Sequence, residues 1–171
     1  METHFDERNL QLLAAMPAAF RSLAVEFEAA PVSAAPRSPW GVKECVAHVL
    51  DVAEIAFVSR IRRIVNEDNP YIRSIDPPAR VEAEGYLLRP LESLLDELDE
   101  RRARDLQWLR SIPREAFSRT GTHDEAGTLS AGDIANYWAF HDLTHLRQAA
   151  KALQDELMSR LGNTRLFIEE A

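Results

Sequence analysis

The chain has 171 residues, enough for one domain with a substantial buried core. Apolar residues make up 46% and charged residues 28%, an ordinary globular mixture, and no run approaches the about 20 apolar residues of a bilayer-spanning helix. Lys and Arg number 20 against 28 Asp and Glu, and the resulting formal charge of −8 argues against nucleic acid and membranes as partners.

The first residues, METHFDERNL, are charged and lack the apolar core of a signal peptide. Cys45 is the single cysteine, so no internal disulfide forms, and a cytoplasmic location is expected. The first helix is expected from about Asp6, a suitable N-cap, to Ala30. Leu10, Leu13, Phe20, Leu23, Ala24 and Phe27 recur there at three- and four-residue steps. Pro17 interrupts the pattern and predicts a bend or brief break. The segment PVSAAPRSP ends the helix, and Ser38 or Pro39 opens a second that continues through WGVKECVAHVLDVAEIAFVSRIRRIV. Apolar residues surround the middle of this second helix, which marks it as heavily buried.

NEDNPYIRSIDPP reads as an irregular loop. A third helix is expected from after Pro78 to about Ser111, with Leu88, Leu91, Leu95 and Leu98 as its core stripe. The arginines at 60, 62 and 63 and at 101, 102 and 104 lie among acidic residues, and both sets read as solvated faces with ion pairs. After the loop SIPREAFSRTGTHDEAGT, Ser130 and Asp133 form an N-terminal capping pattern for a fourth helix reaching about Met158. No strand alternation or internal repeat is seen. The expected architecture is all-α, one domain over residues 1–171, an antiparallel four-helix bundle with a short tail after about residue 159.

The chemistry lies in HDLTH of the fourth helix. Residues four apart share a helix face, so His141 and His145 can address one ion. They lie in the series Ile134, Trp138, His141, His145, Ala149 and Ala152, an inward stripe, with Phe140, Leu143, Leu146, Leu153 and Leu157 as an apolar neighbour. Buried imidazoles need partners for their nitrogens, and a shared zinc or nickel ion supplies one to each; carboxylates or carbonyls are the alternative. His48 is the leading third ligand, because Val46, Val49, Val52 and Ile55 place its helix deep in the bundle. Three protein ligands leave a position open for water or substrate, the pattern of a catalytic site.

WGVKECVAHVLDVAE, the charged leucine-rich third helix and HDLTHLRQ together resemble the DinB-like (DinB/YfiT) superfamily of four-helix bundles, over essentially the whole chain. The resemblance implies a divalent metal, nickel or zinc, on His48, His141 and His145. It further implies a small-molecule substrate, a homodimer, and thiol transfer using a bacillithiol-, mycothiol- or glutathione-type thiol. Metal-dependent hydrolysis and a non-catalytic binding role stand as alternatives.

Glu44 and Asp51 flank His48 by one turn and could orient its free nitrogen or meet substrate; a solvated position or pairing with arginine is the alternative reading for them. Asp142 is turned about 100° from His141 and is not a first choice of ligand. Gln148 either lines the site or makes a packing hydrogen bond. Cys45 reads as a small buried hydrophobe, His123 as a surface loop residue, His4 as terminal, and Trp40 and Trp138 as core anchors.

Overall fold

The computed structural model describes residues 5–24, 39–75, 80 and 84–168. His4, residues 25–30 of the expected first helix, most of PVSAAPRSP and the region of Pro78 lie outside the described residues; within them the first helix ends at Ser22, short of the expected Ala30. Helix α1 (Glu7–Ser22) begins at Asp6, whose carboxylate accepts the backbone N–H groups of Arg8 at 2.9 Å and Asn9 at 3.4 Å. The helix runs through Pro17 without the break the sequence suggested. Pro17 has no N–H, so the carbonyl of Leu13 loses its usual intrahelical donor.

Helix α2 (Val42–Val52) starts at Gly41, whose N–H donates to Glu44 Oε2 at 3.0 Å. It passes through a π-helical turn, Ala53–Val58, into α3 (Ser59–Asn66), forming one continuous rod. The π turn was not foreseen: its wider winding leaves no mark in the apolar pattern of a helix buried all round. Helix α4 (Leu91–Ser111) begins after Pro90, later than expected. Leu88 therefore belongs to a 3₁₀ turn and is exposed, and the buried stripe of α4 is Leu94, Leu95, Leu98, Arg102, Leu106 and Leu109. Helix α5 (Ala131–Met158) has the expected cap, with reciprocal bonds of 2.9 and 3.0 Å between Ser130 and Asp133. A 3₁₀ turn, Gly162–Phe167, follows in the tail.

The chain also forms a small sheet, which corrects the expectation of no strands. Strand β1 (Tyr71–Ile72) pairs in parallel with β2 (Thr120–His123), and β2 pairs antiparallel with β3 (Gly127–Ser130). Strands of two and four residues are too short to show alternation, and THDEAG reads only as a turn. A Cβ at Gly121 would lie 2.9 Å from the Pro70 carbonyl oxygen, so β2 crosses that backbone only with glycine there.

Helices α1 and α2 each pack on both α4 and α5. The two helices first in sequence thus sit diagonally. Two apolar clusters fill the interior. Leu98 of α4 belongs to one and Leu106 to the other, with buried Arg102 between them; Ala149 and Ala139 of α5 divide in the same way about buried Asp142. A polar layer therefore crosses the middle of the bundle. No helix among the described residues is long and apolar enough to cross a membrane.

Candidate metal centre

The polar layer contains the three histidines singled out by the sequence. Helix α2 presents His48, and α5 presents His141 and His145 one turn apart. Each offers a nitrogen, and these nitrogens lie within 4.8 Å of one another. His48 Nε2 is 3.0 Å from His141 Nε2, and the His145 ring centre is 4.4 Å from that of His48 and 4.5 Å from that of His141. Three imidazoles converging in this way are a donor set that suits one borderline divalent cation.

Burial and the neighbouring rings hold two of them neutral. Burial, then His145 and His141, lower His48 to a pKa of about 3 from 6.5. Burial and His141 lower His145 to about 4, against the opposing effect of its hydrogen bond to Gln148. Their lone pairs thus stay available at neutral pH, which is the protonation state a metal ligand requires.

The surrounding groups aim the rings. Gln148 Oε1 lies 3.0 Å from His145 Nδ1, which favours a proton on Nδ1 and leaves Nε2 as the lone-pair nitrogen. Asp142 Oδ1 faces His141 Nδ1 at 3.4 Å. Trp40 packs against His48 and His145 with ring centres 5.0 and 6.0 Å away, so it walls the site besides anchoring α2. Phe57, carried by the π turn, meets His141 edge-on and stacks on Trp138 at 5.3 Å.

The remaining candidates lie apart from the three rings or are engaged elsewhere. Asp51 pairs with Arg80 at 3.0 Å, and Glu44 caps α2. Cys45 is buried and its thiol is pushed up to about 12, chiefly by burial and then by Glu44, which makes it the inert hydrophobe the sequence suggested. His123 stands on β2 and accepts the N–H groups of Glu125 and Ala126.

Arg102 departs from the solvated face expected of its cluster. Arg62, Arg63 and Arg101 do pair with acids, Glu54, Glu67 and Glu97, on the surface. Arg102, between Arg101 and Arg104, instead points inward and is 2% exposed. It forms an ion pair at 2.7 Å with Asp142, which is completely buried. Its place in the series Leu95, Leu98, Arg102, Leu106 and Leu109 was the available signal, masked by its charged neighbours.

A helical bundle with three converging imidazoles in its polar layer defines a class of bundle protein equipped to take a metal ion. The chain belongs to the DinB superfamily, whose sequence model matches residues 6–149. It is 29% identical over 107 residues to a candidate metal-dependent hydrolase of Oceanobacillus iheyensis, a match covering 63% of this chain and 61% of that relative. The chain thus matches less than two thirds of that relative's length. Its fold is similar to that of YfiT from Bacillus subtilis, described as a probable metal-dependent hydrolase with an unusual four-helix bundle topology. The TM-score is 0.74 at 20% identity, covering 95% of this chain and 93% of that one. A mycothiol-dependent maleylpyruvate isomerase is similar at TM-score 0.60 and 20% identity, over 84% of this chain and 60% of the other.

Proposed function

We propose that the protein is a metal-dependent enzyme acting on a small molecule, with one divalent ion held by His48, His141 and His145. The observation that carries this reading is the convergence of the three imidazoles from two helices. A divalent ion there would supply a Lewis acid able to lower the pKa of a thiol or water and to polarise a substrate oxygen. The protein's own contribution is to keep His48 and His145 neutral by burial, to aim His145 through Gln148, and to screen one side with Trp40.

The state of the nearby carboxylates favours thiol transfer over hydrolysis. Water attack generally calls for a base to take its proton. Glu44 caps α2, Asp51 is paired with Arg80, and Asp142 with Arg102, so each is already engaged. A thiol, with an ordinary pKa of about 8.5, needs little help beyond a nearby cation to become a thiolate. The thiol-dependent isomerase of similar fold supports this choice, with a mycothiol-, bacillithiol- or glutathione-type co-substrate. Hydrolysis is the second reading, favoured by the descriptions of the two hydrolase relatives. Cytoplasmic residence and homodimer formation complete the proposal; Tyr137, Phe140 and Leu143 are exposed apolar residues of α5 available for such pairing.

Elemental analysis of protein purified without chelator tests the centre. Wild type should carry zinc or nickel, and His48→Ala should lose it; an equal metal content in the two would remove the cross-helix ligand. Turnover of an electrophile only with added thiol supports transfer, whereas ester or amide cleavage without thiol supports hydrolysis.

A further inference from the structure

The mid-helix proline of α1 has a consequence in the centre of the bundle. Because Pro17 donates no hydrogen bond, the Leu13 carbonyl is available, and Arg102 Nη1 of α4 donates to it at 2.9 Å. The other end of the same guanidinium, Nη2, lies 2.7 Å from Asp142 Oδ2 of α5. Asp142 Oδ1 in turn faces His141 Nδ1 at 3.4 Å, and His141 Nε2 lies 3.0 Å from His48 Nε2. Arg102 also packs over Trp138, 5.0 Å from the ring centre. A continuous polar chain thus runs from α1 through α4 to the imidazole cluster.

We propose that Arg102 and Asp142 are positioning residues that set the tautomer and ring orientation of His141 for metal binding, an inference that rests on the metal reading above. An ionised carboxylate can only accept. Beside Nδ1 it selects the ring form with the proton on Nδ1 and the lone pair on Nε2, the nitrogen that faces His48. Arg102, held at its other end by the Leu13 carbonyl, keeps its positive charge against the outer carboxylate oxygen, Oδ2, and so leaves Oδ1 to face His141. Asp142 itself is not a ligand, because it is engaged by Arg102 and is absent from the group of converging donor atoms. A purely structural role accounts poorly for the pair, since apolar residues of matching volume commonly replace buried ion pairs without loss of stability. Outer carboxylates that orient metal-binding histidines characteristically contribute about 10- to 100-fold to affinity.

The test uses the double variant Arg102→Met/Asp142→Leu, which removes the pair without stranding a charge, alongside Arg102→Lys, which keeps one. The double variant should unfold at or above the wild-type midpoint yet bind zinc about 10- to 100-fold more weakly in a chelator-competition titration. Arg102→Lys should recover most of that loss. In the metal-free protein, nitrogen-15 spectra of the histidines should show His141 protonated at Nδ1 in wild type and as a mixture of tautomers in the double variant. A folded double variant with zinc affinity within threefold of wild type and an unchanged His141 tautomer would overturn the inference. Wild type that binds no zinc or nickel would instead overturn the metal reading, and the tautomer measurement would still decide the role of the pair.

Discussion

At the scale of single residues, the buried groups respond to pH in a definite direction. His48 at about 3 and His145 at about 4 both lie below the ordinary 6.5. Below pH 6.5 the unfolded chain takes up protons that the folded chain refuses, so their contribution to stability is fully present above 6.5 and falls as pH drops toward 3. The unfolding midpoint of metal-free protein should therefore decline from pH 7 to pH 4, and His48→Gln should flatten part of that decline. Removing Arg102 alone is a different kind of change. Arg102→Ala leaves Asp142 buried without its partner, and such breaks cost about 3–5 kcal/mol, which urea unfolding would register. A loss under about 1 kcal/mol would mean that water reaches the carboxylate.

Secondary-structure elements carry their own predictions. Ser130 and Asp133 satisfy each other's N–H groups at the start of α5, the helix that bears two of the three histidines. Ser130→Ala should cost about 0.5–2 kcal/mol by thermal or urea unfolding. Gly121 is constrained by space: the nearest atom to an added Cβ is a backbone oxygen at 2.9 Å, with Ile64 Cγ1 at 3.0 Å. Gly121→Ala should destabilise by about 1–3 kcal/mol, as overpacking does. The cap was legible because its chemistry is local, three residues apart. The crossing of β2 over Pro70 was not, because it depends on chain segments about fifty positions apart.

On the scale of the whole molecule, a bound ion would tie α2 to α5 in the layer that divides the two apolar clusters. Ligand binding to the folded state alone adds stability by mass action, about 2.7 kcal/mol at a free concentration 100 times Kd. Chelation should accordingly lower the melting temperature of wild type and leave that of His48→Ala unchanged. An identical chelator response in both proteins would separate the metal from this helix pair.

Sequence alone determined that this is a helical bundle and that His141 and His145 share a face, because helical periodicity and i, i+4 geometry are local properties of the chain. His48 was named partly from the burial of its helix and partly from resemblance. Only tertiary structure decided how far the buried face of α5 extends and that it takes in Asp142. Ile134, Trp138 and Ala149 of the inward stripe are buried as the sequence suggested, but Phe140 of the neighbouring apolar stripe is 64% exposed while Asp142 is wholly buried. The physical reason lies across the core: Arg102, freed to point inward and held by the carbonyl that Pro17 leaves open, gives Asp142 a partner. A charge in the interior is tolerable only with its partner in place, and Arg102 and the Leu13 carbonyl, far from Asp142 in the chain, are brought together with it by the fold alone.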